Sequence, residues 1–556
     1  MRDGDPVEQK SGVQGRFRAS WTRVQEDGFN EVQFWFVAVL VGIGAGFAAV
    51  AFREGILLLQ GFIYGETDHA LHTQLAMLHP GWVFGIPIAG GLAVGLILYV
   101  FTPDGRARSV ADVIEGAALK DGRVDRKAGI ASAIASMITL STGGSTGREG
   151  PVVHLAAVMS SAVADWIKAN PVTARDLLGC AVAAAVSASF NAPIAGTLFA
   201  LEVILRHFAI HSMAPIAVSA VAGTVVSRLT SGDFAEFLLG DNTFDFYVEI
   251  PAFMILGLVC GCVAVVMMRS VFWAEEVGDS FVKRFRIPIP LRPAIAGIFL
   301  GAIAIHFPHI IGVGYETTNR ALFGELLLHE AIIFVIVKVA AVAITLAGRM
   351  GGGIFSPSLM VGALTGLAFG LIATAIFPEV SGSGRLYALA GMGAVAAAVL
   401  GAPISTTLIV FELTRDWQVS IVVMVAVSMA TAVSSRLVDK SFFLTQIERR
   451  GVHLAAGPQA YLLGTIRAGD LMRYRGAENG ASDTQCWDLI EQGAFIEQNS
   501  TLEDAMPLFE RYGATAIPVV KRHEQGSPEL LGALFHVDAL KAYNRALAET
   551  AEEEHS

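Results

Sequence analysis

The sequence predicts an all-α polytopic membrane protein, two inverted repeats of tilted and broken helices, followed by a small α/β tail. Three observations predict it. The 556 residues are 53% hydrophobic with 58 glycines and only 16% charged, where soluble domains carry about 25% charged residues, and the mean hydropathy is +0.56. Apolar runs long enough to cross a bilayer alternate with runs that are too short, and two motifs recur in the same order in the second half of the chain.

Residues 1–31 mix Arg16, Arg18 and Arg23 with Glu26, Asp27 and Glu31, and have neither the apolar core nor the cleavage site of a secretory signal. A retained cytoplasmic segment is expected there, on the side favoured by its basic cluster. The membrane domain is expected over 32–451. Within it, "FWFVAVLVGIGAGFAAVAF" (34–52) and "GWVFGIPIAGGLAVGLILYVF" (81–101) can span about 30 Å of hydrocarbon at about 1.5 Å per residue. "AGIASAIASMITL" (128–140) is too short, and "GAPISTTLIVFELT" (401–414) has proline at its third position. Broken helices at membrane depth are tolerated only where protein buries them or they line a cavity. The pattern is that of a transport pathway.

Internal similarity divides the domain. "ITLSTGGSTGREGP", ending at Pro151, matches "ITLAGRMGGGIFSP", ending 206 positions later at Pro357. "NAPIAGTLFALE", ending at Glu202, matches "GAPISTTLIVFE", ending 210 positions later at Glu412. Repeats are therefore expected at about 32–229 and 250–438, with a site at their interface, as paired interrupted helices indicate.

The two matching loops are "GREGP" (147–151) and "GIFSP" (353–357). Glycine permits the tight turn, and proline suits the first turn of the helix that follows. The free amides at such a helix start attract anions, so inward-pointing loops predict an anionic substrate. Only the first loop carries a carboxylate, Glu149, whose insertion at mid-membrane depth costs roughly 2.5–3.5 kcal/mol. A tethered carboxylate there competes with the anion and leaves when protonated. The bland alternative is a structural Glu149–Arg148 salt bridge; His154 is expected as a packed histidine.

"GREGP", "GIFSP", "FNAPIAGTLFALE" and "GAPISTTLIVFELT" together resemble the signature segments of the CLC family of chloride channels and proton/chloride antiporters, over about 32–451. The resemblance implies a homodimer in the cell membrane, with one pore per subunit and both termini cytoplasmic. It makes Glu149 the gate and puts the chloride-binding backbone at Ile354 and Phe355, flanked by Gly353, Gly147, Arg148 and Gly150. The chain departs from the family at three places. "ARSVADV" (107–113) puts Arg108 where a chloride-binding serine is usual, leaving Ser109 as its substitute or the inner site built differently. Phe443, in "SFF", replaces a tyrosine whose hydroxyl normally donates to chloride. Val203 follows Glu202 where many antiporters have a proton-relaying glutamate. Valine carries no proton, so the expectation leans to a passive voltage- or pH-gated chloride channel, with proton-coupled antiport through Glu149 as the alternative.

From about 464 the chain turns polar. A strand, a helix opened by Ser500 or Thr501, the alternating "TAIPVV", a charged turn and a second strand-helix pair give a β-α-β-β-α unit over 464–545. It resembles one CBS motif, which implies pairing with a partner subunit's tail. Adenine nucleotide binding would use a hydroxyl where this chain has Phe535. Residues 546–556 are expected as a disordered acidic tail, and with a net charge of -11 nucleic acid is excluded as a partner. Cys180, Cys260, Cys262 and Cys486 have no metal-ligand spacing and are expected in core packing. No metal site, cofactor motif or enzyme is visible: "HEAII" (329–333) lacks the second histidine of a zinc protease, and "GGSTGRE" fails the phosphate-loop spacing. A membrane sensor working through its tail is the rival of another class.

Overall fold

The computed structural model describes residues 31–67, 70–208, 210–232, 248–378, 384–452, 462–463, 466–477, 479–498, 500–521 and 529–555. The expected N-terminal segment falls, up to residue 30, outside them. Among the described residues nine helices are long and apolar enough to cross a membrane. The two long runs read from the sequence lie in helices Glu31–Tyr64 and Pro80–Phe101, and the two short ones form Arg126–Thr142 and Pro403–Thr414. The short helix Arg126–Thr142 carries serines and threonines that bury without loss. Ser132, Ser136, Thr139 and Thr142 each donate to the carbonyl four residues back, which satisfies a hydroxyl inside the helix that holds it.

The repeats meet about a local two-fold relation that the hydrogen bonds make explicit. Gly147 N–H donates to the Gly353 carbonyl at 2.7 Å and Gly353 N–H to the Gly147 carbonyl at 2.8 Å, an antiparallel bridge between equivalent residues. The second motif pair is reciprocal too. Glu202 accepts from Ile404 N–H at 3.0 Å and Ser405 N–H at 2.8 Å, at the start of helix Pro403–Thr414. Glu412 accepts from Ile194 N–H at 3.0 Å and Ala195 N–H at 2.8 Å, at the start of helix Pro193–Phe199. Each carboxylate thus caps the helix of the other repeat. Glu202 reaches its partner from a π-helical turn, Ala200–Leu205, which the regular helix of the second repeat does without.

Glu202→Ala leaves two backbone amides without their anionic acceptor. A loss of about 1.5–3 kcal/mol per charge-assisted bond is expected, read as lowered thermal stability of the purified protein. Glu202→Gln, which keeps one acceptor oxygen, should lose less.

The tail has the expected strand-helix order in Ile496–Glu497 (β2), Leu502–Tyr512, Ala516–Lys521 (β3), Glu529–Phe535 (β4) and His536–His555. An additional strand, Arg473–Tyr474 (β1), completes a sheet of order β1-β4-β3-β2. The charged turn 522–528 lies outside the described residues. Thr501 opens the first of these helices, its N–H donating to Asp504 at 3.2 Å. The acidic end expected as disordered instead continues the last helix to His555, because "ALAETAEEE" consists almost wholly of strong helix formers. Cys180, Cys260 and Cys486 are buried, but Cys262 is exposed. Two residues after Cys260, it falls on the opposite face of helix Ile250–Phe285.

Candidate functional site

Each breaker loop runs directly into a helix, the first beginning at Glu149 and the second at the equivalent Phe355. These two starts share one narrow cavity with two others: Ser109 and Val110, which open helix Val110–Leu119, and Phe442 and Phe443, which open the short helix Phe442–Glu448. Four helix starts around one space concentrate unpaired amides and positive partial charge there. Gly150, Gly353, Ile354 and Phe355 also line it.

Glu149 lines the same cavity and is 2% exposed. The Ser356 hydroxyl donates to both of its oxygens, and the Tyr315 hydroxyl donates to Oε1 at 3.5 Å. A Cβ on Gly147 would stand 2.8 Å from Oε2 and 3.0 Å from the Ser356 nitrogen, so glycine at 147 makes room for the carboxylate. The Glu149–Arg148 salt bridge is present as a long contact: Arg148 Nε lies 4.0 Å from Glu149 Oε1, and its guanidinium sits over the Tyr315 ring, 5.1 Å from the centroid. His154 is buried as expected.

The sequence-nominated residues separate into two groups. Ser109, Glu149, Gly150, Gly353, Ile354, Phe355 and Phe443 line the cavity. Gly147 underlies the Glu149 carboxylate without lining the cavity, and Arg148 stands beside Glu149 without lining it either. Arg108, nominated for the inner site, does not line the cavity. Its guanidinium is 2.9 Å from Asp104 and 3.6 Å from Asp112, and only its backbone reaches inward, N–H to Ser132 Oγ at 2.8 Å. The neighbouring Ser109 takes the lining position, oriented by its N–H to Asp112 at 2.8 Å. Val203 is buried among apolar side chains. Glu202 beside it caps the start of helix Pro403–Thr414.

On the Ser109 side the cavity opens into a vestibule lined by Arg106, Arg292, Arg349, Arg449 and Arg450 against Glu275, Glu276 and Asp279. Five guanidiniums over three carboxylates leave a positive mouth that raises local anion concentration. The sequence reading missed Gln446, which lines both cavity and vestibule, and the two hydroxyl donors to Glu149. The spacing Phe443-x-x-Gln446 was the available signal for the first; Ser109-x-x-Asp112, a capping-box pattern, was the signal for the third helix start.

Tyr315 opens helix Tyr315–Leu322 after Gly314, whose φ of 90° bends the chain into it. Fully buried Lys338 pins the preceding segment, donating to the carbonyls of Ile310 and Gly312 at 3.2 Å each. The next residue, Glu316, accepts from His72 N–H at 2.9 Å and lies 2.7 Å from His72 Nδ1. His72 stacks on His309 at 4.5 Å, and His309 on Phe334 at 4.1 Å. Leu71, beside His72, and Ile310, beside His309, pack with Val83 near the start of helix Pro80–Phe101, whose other end leads to Arg106 of the vestibule.

Burial, with His72 and then Arg320 nearby, pushes the His309 imidazole from 6.5 down to about 3. The opened segment therefore binds protons more readily than the packed one, and packing weakens as pH falls from about 6.5 towards 3. Hydrogen exchange across 308–322, corrected for intrinsic rates, should be faster at pH 5 than at pH 7.5. In His309→Phe that dependence should shrink, leaving only the contribution of His72.

The family profile described as voltage gated chloride channel matches residues 90–435. The ClcB-like chloride channel protein of Ralstonia nicotianae is 31% identical over 395 residues, 70% of this chain and 91% of that one. The structure of a slow cyanobacterial Cl-/H+ antiporter superposes with a TM-score of 0.65 at 21% identity, covering 75% of this chain and 97% of that one. A eukaryotic CLC transporter gives 0.65 at 17% identity, covering 91% and 97%.

Proposed function

Because this chain belongs to the voltage-gated chloride channel (CLC) family, whose members transport chloride, we propose that it exchanges chloride for protons through one pathway in which Glu149 is the moving part. The observation that carries this reading is the Glu149 carboxylate itself, buried in the cavity where four helix starts converge. In that place it is the anion. Protonation removes its attraction to the helix starts and lets it leave; chloride arriving from the vestibule then takes the amides it vacates. Two anions, the tethered carboxylate and chloride, thereby compete for one position, and the proton decides which of them holds it, which is the physical basis of coupling. One structural neighbour is described as a Cl-/H+ antiporter, and that description supports the same assignment.

A passive gated channel is the second reading, and Val203 is the observation that favours it. With Glu202 committed to capping Ile404 and Ser405, protons would reach Glu149 from the vestibule only through water. Reconstituted vesicles with chloride and pH recorded together separate the two. Proton movement in fixed ratio to chloride, driven by a chloride gradient alone, is expected; chloride flux with no proton movement would establish the channel.

The homodimer, the cell-membrane location with both termini cytoplasmic, and the CBS-like character of the tail belong to this proposal. For the tail we favour a structural role over nucleotide sensing. Phe535, where a hydroxyl would be needed, is covered by the Arg473 guanidinium 4.2 Å from its ring centroid.

A further inference from the structure

The cavity around Glu149 is poor in polar side chains. Those lining it include Val110, Val153, Val186, Phe199, Leu346 and the two phenylalanines of "SFF", and among the described residues the polar ones are Ser109, Glu149 and Gln446. A chloride ion entering from the vestibule sheds water that these walls do not replace. Glu149 repels it, and Ser109 has a single hydroxyl hydrogen, which Gln446 engages. Gln446 is the only side chain of the three that carries N–H donors.

Its position suits that use. Gln446 stands three residues after Phe443 on helix Phe442–Glu448, hence on the same face, the face from which the ring without a hydroxyl projects. It lines the narrow cavity and the vestibule at once, as Ser109 does. The Ser109 hydroxyl donates to Gln446 Oε1 at 3.4 Å. That contact ties down the carbonyl end of the amide and leaves Nε2 without a protein acceptor among the described residues.

We propose that the Gln446 amide is the inner anion donor of this pathway. Its Nε2 hydrogens bind a small monovalent anion where vestibule and cavity meet, and Ser109 fixes the amide's orientation. It supplies from the next turn of the helix the donor that Phe443 lacks. This rests on the chloride-transport reading of the same cavity. The site follows from one chain reversal of roles: the residue that would ordinarily donate is apolar, and the residue one turn on, facing the same way, is an amide.

The test measures chloride affinity of the full-length protein by titration calorimetry, and chloride flux after reconstitution, in wild type, Gln446→Leu, Gln446→Glu and the double variant Gln446→Leu with Phe443→Tyr. Gln446→Leu should weaken chloride binding about tenfold or more, the loss of a hydrogen bond to a charged partner. Gln446→Glu keeps the shape but presents an acceptor; it should weaken binding further, with recovery as pH is lowered and the new carboxyl protonates. The added Phe443→Tyr hydroxyl should recover most of the affinity lost in Gln446→Leu. Size-exclusion profiles matching wild type establish that the variants are folded. Should Gln446→Leu fail to fold, the pH-dependent loss and recovery in Gln446→Glu decides. Wild-type affinity in folded Gln446→Leu or in Gln446→Glu overturns the proposal, as does a loss that the tyrosine leaves untouched. Failure of the underlying reading has a different signature: wild type itself would bind and move no chloride.

Discussion

Vesicles carrying Glu149→Gln will take up chloride without moving protons, and their flux will lose its dependence on pH. The amide is nearly the size of the carboxyl and keeps an oxygen for the Ser356 hydroxyl, so the fold around it should be unchanged. What it loses is the charge. A carboxylate among helix starts is held by their partial positive charge, about 0.3–2 kcal/mol per helix end, and that hold is released only by a proton. The glutamine is permanently in the released state. If protons ride on Glu149, coupling should fall from a fixed ratio to zero, while chloride flux persists. Proton movement that continues in step with chloride in this variant would remove Glu149 from the mechanism.

Gly352→Ala should abolish chloride transport and lower stability more than any substitution of a lining side chain. Gly352 has a φ of 139°, a backbone conformation that a side chain strains. An added Cβ would fall 2.1 Å from Thr146 Oγ1, far inside contact distance. Thr146 cannot yield, because its hydroxyl donates to the Gly353 carbonyl at 2.8 Å, next to the bridge that joins the two breaker loops. Relief of the clash must therefore move Gly353 or Gly147, and with them the starts of both central helices. A loss of about 1–3 kcal/mol is expected from the overpacking, measured as lowered thermal stability together with absent flux. Ser109→Ala, which removes a hydroxyl and strains nothing, is the contrast: reduced chloride affinity with stability close to wild type.

Most of the architecture was legible in the chain, and for physical reasons that are local. Hydrocarbon thickness sets how long an apolar helix must be, so the spans could be read from length and hydropathy. Glycine and proline dictate turns wherever they stand, so "GREGP" and "GIFSP" marked their helix starts, and the match between them located both repeats. Glu149 stood out because a carboxylate in an apolar setting demands an explanation. The tail's strand-helix order followed from alternation and turn chemistry in the same way. Its acidic end did not, because composition alone fails to distinguish a solvated tail from a solvated helix.

The inner half of the site was not decided at that level. Arg108 and Ser109 are adjacent, and sequence left open which of them faces the pathway; Asp104 and Asp112 decide it by drawing the guanidinium away. Glu202 stands beside the valine at the usual relay position, and only folding put its carboxylate on the amides of Ile404 and Ser405, some 200 positions away. Gln446 was passed over in the sequence, and only folding brought it against Ser109, 337 positions earlier. The sequence by itself determined that this protein is a membrane-spanning pair of repeats with one charged and one uncharged breaker loop, since hydropathy and backbone chemistry act over a few residues. Only the tertiary structure decided which polar groups share the space between those loops, since that depends on contacts across hundreds of residues that no local pattern encodes.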